Sequence, residues 1–383
     1  MFSCFAHLTC TKCGAQYERD RRLNVCPAAA CSGALFSRYH PPRLERDAAR
    51  DRPRTIWRWH EMMPVEDPAN IISLGEGGTP LLSADRLASR SGFADLWIKD
   101  ESGNPTGSFK ARGLSASVSR AKELGHTKIA IPTAGNAGSA AAAYAAKAGM
   151  ECHVFMPEDT PRAFRLECER YGAKVTLVPG LIDDCGRIVA ENAAREEWHV
   201  VSTLKEPYRV EGKKTMGYEL AEDFRWELPD AIFCPTGGGT GLIGMWKAFE
   251  EMEEMGWIGP KRPKMFAVQA EGCAPIPKAF AEGKSVAETW PNPHTYASGL
   301  RVPKPFADYL ILRYLHESGG GAVAVTDDEI RKACGEIGAA EGLFVAPEAG
   351  AAWAAAKNLA ATRRLDPKAR IVLLNTGSGF KYM

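Results

Sequence analysis

The sequence predicts an α/β protein of parallel sheets wrapped by helices, with a small cysteine-rich module in front. Three observations carry that expectation. From about residue 71 onward, short β-branched or aliphatic runs alternate with longer Ala-rich amphipathic segments, and parallel strands need such crossover connections. The first 40 residues or so are Cys-dense and almost free of helical periodicity. Three Gly-rich turns sit after predicted strands and before predicted helices, where α/β proteins hold their ligands.

In chain order the strand expectations are Leu96–Lys99, Lys128–Pro132, Cys152–Pro157, Lys174–Val178, Ala231–Pro235, Met265–Gln269 and Ile371–Asn375. The helix expectations are Phe109–Leu124, Gly138–Gly149, Pro161–Tyr171, Asp183–Glu197, Glu211–Phe224, Leu242–Met255 and Asp327–Gly342. No sequence repeat of fixed period appears, which excludes a solenoid. Residues 41–70 carry Pro41-Pro42, Pro53, Pro64 and Pro68 among alternating Arg and Asp. They read as a polar linker and arm that wraps the surface.

The 383 residues suffice for two or three domains, at ~100–200 residues each. A formal charge of +1 leaves no basic field for nucleic acid. The richest apolar run, Ser139 to Gly149, is short and carries Lys147, far from the ~20 residues of a membrane helix. The first residues hold no basic group before their short apolar stretch, so a cytoplasmic location is expected. Of the eleven cysteines, five fall within the first 31 residues and six are scattered through apolar segments. That distribution points to a metal site plus reduced thiols, not a disulfide scaffold.

Cys10-Thr-Lys-Cys13 is a CxxC knuckle, and Cys26 and Cys31 form a second, wider pair with four residues between them. A short CxxC turn places two thiolates on one side of a tetrahedral ion while a second hairpin supplies two more, the arrangement of a zinc ribbon. A module that has lost its metal, or a tetrad using Cys4 or His7, stays open at this level. A closed four-thiolate site has no position for a substrate, so the module is expected to be structural.

The first Gly-rich turn, Gly103-Asn-Pro-Thr-Gly-Ser-Phe-Lys110, sets Lys110 at the opening of a helix. The helix dipole disfavours a cation there and so favours a neutral amine, which a carbonyl-binding lysine needs. The second, Thr133-Ala134-Gly135-Asn136, offers backbone N–H groups to a carboxylate and the Asn136 amide to an aromatic hydroxyl. The third, Gly237-Gly238-Gly239-Thr240-Gly241, lets several N–H groups point at one anion on a helix N-terminus. No Lys-Ser/Thr follows it, so it is not a nucleotide P-loop.

Taken together, Asn104-Pro-Thr-Gly-Ser-Phe-Lys110, Thr133-Ala-Gly-Asn136, Gly237-Gly-Gly-Thr-Gly241 and Leu374-Asn-Thr376-Gly-Ser-Gly379 resemble the fold type II pyridoxal-phosphate enzymes, and the threonine synthases among them. Leu74-Gly-Glu-Gly-Gly-Thr-Pro80 and Pro207-Tyr-Arg-Val-Glu-Gly-Lys-Lys-Thr215 are similar to threonine synthase segments, and the Cys module to an N-terminal extension of longer members. The resemblance covers about residues 71–383. It implies two open, mostly parallel twisted sheets and a division into a zinc-ribbon-like module (1–40), an arm (41–70), a large cofactor-binding domain (71–105 and 215–383) and a small domain (106–214). It also implies a likeness to homodimeric enzymes acting on a small amino-acid substrate.

Carried over residue by residue, the resemblance implies Lys110 as the Schiff-base lysine and Phe109 as a ring packed by pyridoxal phosphate. Asn136 would bond the cofactor's 3′-hydroxyl, Gly237 to Gly241 with Thr240 its phosphate, and Thr376 its ring nitrogen. A hydroxyl at Thr376 leaves a milder electron sink than a carboxylate would, which suits elimination and replacement. The substrate would lie against Thr133, Ala134 and Gly135, with Lys205 and Arg209 at its tail. The implied reaction turns O-phospho-L-homoserine and water into L-threonine and phosphate. Ala111 and Ala134 depart from the pattern of many threonine synthases and lean toward the related serine/threonine dehydratases, and Ser202–Pro207 replaces an Asn-containing segment. A dehydratase-like ammonia-lyase is therefore the alternative reading.

Overall fold

A computed structural model describes residues 2–42 and 44–383. In chain order it begins with β1 (Phe5–Cys10), β2 (Gln16–Glu18), β3 (Leu35–Tyr39), β4 (Leu81–Ser83), α1 (Asp85–Ser91) and β5 (Asp95–Asp100). Then come α2 (Lys110–Glu123), β6 (Lys128–Pro132), α3 (Asn136–Ala148), β7 (Glu151–Pro157), α4 (Arg162–Arg170), β8 (Lys174–Val178), α5 (Ile182–Asn192) and β9 (His199–Val200). The remainder is α6 (Arg209–Asp223), β10 (Ala231–Pro235), α7 (Thr240–Glu254), β11 (Lys264–Ala270), α8 (Pro275–Ala281), α9 (Asp308–Glu317), β12 (Gly321–Val325), α10 (Asp327–Glu341), α11 (Pro347–Ala361) and β13 (Arg370–Asn375).

The chain forms two compact units. One comprises Met1–Gly78, Asn104–Thr106 and Lys110–Thr215; the other comprises Thr79–Gly103, Gly107–Phe109 and Met216–Met383. In the first unit β8-β7-β6-β9 form a parallel sheet, with α3 and α5 packed on it. The same unit holds an antiparallel sheet β2-β1-β3 built by the N-terminal residues. In the second unit the order is β12-β11-β10-β13-β5-β4, parallel except for the edge strand β4. Phe233, Val268, Ile371 and Leu373 of this sheet pack with the buried faces of α10 and α11.

Every strand and helix expected from the pattern is present, with ends displaced by a few residues at most sites; the largest shift is the helix expected over Asp183–Glu197, which stops at Asn192. The caps explain several stops. Gly149 and Gly342 take left-handed conformations after α3 and α10, where only the lack of a Cβ makes the turn cheap. Thr326 and Glu329 form a reciprocal capping box at the start of α10. The arm departs from expectation: residues 41–70 do not merely run over the surface. Ile56, Trp57, Met63 and Val65 are buried against Ala116 of α2, and the Trp57 indole donates to Ser115 Oγ at 3.0 Å. Four apolar side chains among the prolines supply the burial that outweighs the polar flanks.

Candidate active site

Lys110 opens α2 in the first unit and is half-buried. What surrounds its helix is decided by two glycines. A Cβ on Gly113, one turn along α2, would meet the Arg209 carbonyl at 2.9 Å, and a Cβ on Gly212 of α6 would run into the backbone of Arg112. The two helices therefore cross backbone to backbone, which only glycine permits. That crossing sets the backbone of Arg209, the first residue of α6, against Gly113, the residue one turn along α2 from Lys110.

Arg209 is 2% exposed. Its Nη1 donates to the Val201 carbonyl at 2.8 Å, and its Nε is buried without a hydrogen-bond partner. Burial pulls the guanidinium down to about 10, with Glu206 acting in the opposite sense. Glu206 is a residue that the sequence reading did not single out. It is 1% exposed and accepts from the backbone N–H groups of Tyr208 (3.0 Å) and Arg209 (2.7 Å) and from Ser117 Oγ (3.0 Å). A carboxylate on the first N–H groups of a helix is a cap, so the sequence signal was its position just before the first turn of α6. Burial still pushes Glu206 up to about 7, against the lowering by Arg209 and these hydrogen bonds. Lys205, by contrast, has an exposed side chain.

The second turn lies at the C-terminal end of β6. Gly135 has φ +149°, and a Cβ there would press on the Phe164 ring at 3.2 Å. Asn136 is the first residue of α3. The Thr133 hydroxyl accepts from the N–H groups of Gly135 and Gly138, both at 3.2 Å. It thus caps α3 and orders the turn, leaving Ala134 half-buried at its bend. The Leu74–Pro80 motif has a structural job too: Glu76, fully buried, accepts from the Tyr144 hydroxyl (2.5 Å) and the Leu74 N–H (2.9 Å), while Asn104 Oδ1 accepts from Gly77 N–H at 3.0 Å.

In the second unit the third turn follows β10. Gly239, in the left-handed region, stands at the N-cap of α7 and provides no side-chain cap, so the first N–H groups of α7 are left to other acceptors. A Cβ on Gly237 would strike the Gly299 carbonyl, one on Gly239 the Ile311 side chain, and one on Gly241 the Phe109 ring at 3.2 Å. Gly238 and Thr240 complete the turn. Phe109 is buried, its N–H donates to the Thr376 carbonyl at 3.0 Å, and Ser108 pairs with Gly377. Thr376 itself follows the C-terminal end of β13 and is 7% exposed. Glu348, unnoticed in the sequence, accepts from Gly299 N–H at 2.8 Å and the Tyr382 hydroxyl at 3.0 Å, bracing the residue against which Gly237 packs.

In the N-terminal module the ligand atoms of Cys10, Cys13, Cys26 and Cys31 lie within 4.8 Å of one another. Cys10 and Cys31 Sγ are 3.5 Å apart, Cys13 and Cys26 Sγ 3.7 Å. Four sulfurs each ~2.3 Å from a central zinc would be spaced at about that separation. The N–H groups of Lys12 and Cys13 point at Cys10 Sγ, at 3.4 and 3.5 Å, the knuckle geometry that supports a thiolate.

Comparison with known proteins fits this geometry. Residues 72–377 match the model of the pyridoxal-phosphate dependent enzyme family. The threonine synthase of Methanocaldococcus jannaschii is 36% identical over 377 residues, 97% of this chain and 92% of that protein. That of Halalkalibacterium halodurans is 33% identical, covering 85% of this chain and 89% of the other. Among solved structures, maize serine racemase matches with TM-score 0.68 at 21% identity over 79% of this chain and 88% of that one. Threonine deaminase isoform 2 of Solanum lycopersicum matches with TM-score 0.67 at 20% identity, over 81% and 86%. At such identity the last two speak for the fold alone.

The chain therefore belongs to the pyridoxal-phosphate dependent enzymes of fold type II. Within them it belongs to the threonine synthases, whose curated members it matches along nearly its whole length. Its cofactor is pyridoxal phosphate. Among the described residues no helix is long and apolar enough to cross a membrane.

Proposed function

We propose that this enzyme converts O-phospho-L-homoserine and water to L-threonine and phosphate, with Lys110 as its catalytic residue. The observation that supports the reading is Arg209: a buried guanidinium whose Nε has no hydrogen-bond partner, on the helix whose first residue lies against Gly113 of α2. Glu206 offsets part of the cost of burying this cation, but a buried donor left unpaired remains costly, and a substrate phosphate is an acceptor suited to it. A hydroxy-amino-acid substrate of the dehydratase type would leave that donor unanswered.

The residues fit the cofactor, since the glycine turn leaves the first N–H groups of α7 without a side-chain cap, open to a phosphate. Gly237, Gly238, Gly239, Thr240 and Gly241 would hold its phosphate at the N-terminus of α7, Asn136 its 3′-hydroxyl and Thr376 its ring nitrogen, with Phe109 packed by the ring. When bound, pyridoxal phosphate supplies an electron sink for the substrate carbon. Lys110 Nζ would take the protons at Cα and Cβ, deliver one to Cγ once the phosphate has left, and return one to Cα, while water supplies the hydroxyl at Cβ. The Thr133-Ala134-Gly135 turn would orient the substrate carboxylate, and Arg209 with Lys205 the leaving phosphate.

Zinc on Cys10, Cys13, Cys26 and Cys31 belongs to the same proposal, supported by the mutual spacing of the four sulfurs, as does a cytoplasmic homodimer. Elemental analysis and sedimentation test these. The reaction is tested by measuring phosphate release from O-phosphohomoserine beside ketoacid release from serine and threonine. Ketoacid release alone would reject it.

A further inference from the structure

The segment from His199 to Glu211 links β9 to α6 and carries both Lys205 and Arg209. It is held by the N-terminal module at Val200, Lys205, Tyr208 and Glu211. Asn24 Nδ2 donates to the Val200 carbonyl at 2.7 Å and to the Lys205 carbonyl at 3.0 Å. Two carbonyl acceptors admit only the amide nitrogen there. Tyr208 is fully buried in the module's own apolar cluster, with Phe5, Leu8, Cys10, Cys26 and Leu35, and its ring meets Phe5 edge-on, centroids 6.4 Å apart. Tyr39 of β3 donates to Glu211 Oε2 at 2.8 Å. Glu211 also pairs with Lys214 at 2.7 Å, both fully buried, and the Lys214 ammonium stands 4.0 Å over the Tyr39 ring.

A module that served only as an appendage would not need its core completed by a residue of the body. Here the cysteines and the substrate-side segment share one apolar cluster, and Asn24 stands two residues before Cys26. Whatever ties Cys26 to Cys10, Cys13 and Cys31 also fixes the turn that presents Asn24.

We propose that the four-cysteine module is a clamp on residues 199–211, with Asn24 as its positioning residue, so that metal loading of the module sets affinity for the substrate's tail. This rests on the reading that Lys205 and Arg209 face that tail. It also goes beyond the expectation that the module is structural.

The test uses the cofactor-loaded, zinc-loaded enzyme and its Asn24→Asp, Asn24→Gln and Tyr39→Phe variants. Asp keeps the shape of Asn but sets a carboxylate without donors against two carbonyls; Gln keeps the donors. Hydrogen exchange of 199–211, KM and kcat for O-phosphohomoserine, cofactor absorbance and zinc content are read for each. Loss of two ordinary hydrogen bonds should speed exchange of 199–205 and raise KM by about tenfold, with kcat within about twofold and absorbance and zinc unchanged. Gln should recover most of the loss. Tyr39→Phe should loosen 208–211 even if Asp fails to fold. Wild type stripped of zinc by a chelator should reproduce the Asp variant. Unchanged exchange in 199–211, an unchanged KM, or a fall confined to kcat would overturn the clamp, and a wild-type KM after stripping would overturn its link to the metal. Should wild type release no phosphate from O-phosphohomoserine, the proposed reaction falls, while exchange still decides the clamp.

Discussion

The backbone N–H of Phe109 donates to the Thr376 carbonyl oxygen at 3.0 Å, so the residue preceding Lys110 is laced to the end of β13. The Thr376 main chain is thereby fixed, and its side chain is what a substitution changes. In the ring-nitrogen role proposed for Thr376, Asp would set a carboxylate against an unprotonated nitrogen, and two acceptors cannot share a bond without a proton. Thr376→Asp should weaken cofactor binding or divert turnover to side products, while Thr376→Ser keeps most activity. Equal rate and product spectrum in the Asp variant would remove Thr376 from the ring-nitrogen role.

Lys110→Ala should abolish turnover and the absorbance of the covalently held cofactor. Lys110 is half-buried at a helix start, and its loss should leave the unfolding free energy of the cofactor-free protein within about 0.5 kcal/mol of cofactor-free wild type. Wild-type absorbance in that variant would refute the assignment.

Arg209→Lys keeps a charge beside Glu206 but loses the planar fork. KM for O-phosphohomoserine should rise by about 10-fold or more, since a charged hydrogen bond contributes ~1.5–3 kcal/mol, with kcat less affected. An unchanged KM would shift the phosphate-binding role away from Arg209.

Gly212→Ala would drive a methyl into the Arg112 backbone at the crossing of α2 and α6. Overpacking of this kind costs about 1–3 kcal/mol, and activity should fall with stability because the same crossing sets Arg209 against α2, the helix that Lys110 opens. Denaturant unfolding with parallel kinetics checks both; an undisturbed protein would mean that the helices can part without consequence.

Burial pushes the His199 imidazole down to about 3, and His126 and Arg22 act in the same direction. In the unfolded chain it titrates near its ordinary ~6.5. A depressed folded value means that its contribution to stability is complete above ~6.5 and lost as pH falls toward 3, by up to about 1.4 kcal/mol per pH unit. Glu206, raised to about 7, works in the opposite sense: its contribution is present below its unfolded value and lost as pH rises through 7. Denaturant midpoints of wild type and His199→Gln between pH 7 and 4 separate the two. The variant should lose less on acidification, and parallel curves would count against the buried neutral imidazole.

Much of the scaffold was legible because its signals are local. Ala231–Pro235 and Lys174–Val178 are short apolar or β-branched runs between breakers, and α10 announces itself with Thr326, Glu329 and Gly342. Other elements gave no such signal. The helix α11 is Ala-rich and buried nearly all round, so it has no polar stripe to set a period. The edge strand β4 is three residues long, and β12 is a short run of Gly, Ala and Val.

The sequence by itself determined the candidate motifs and their order: a lysine at a helix start, an Asn turn, a glycine-rich turn, four cysteines in two pairs. Each is a short motif whose chemistry is contained in its own residues. What only the tertiary structure decided is which distant groups meet. Arg209 lies against α2, the helix that Lys110 opens, because Gly113 and Gly212, 99 positions apart in the chain, let two helices touch. Asn24 holds Val200 and Lys205 because the module's core is closed by Tyr208. Long-range packing of that kind depends on shape complementarity across the fold, which no window of neighbouring residues encodes.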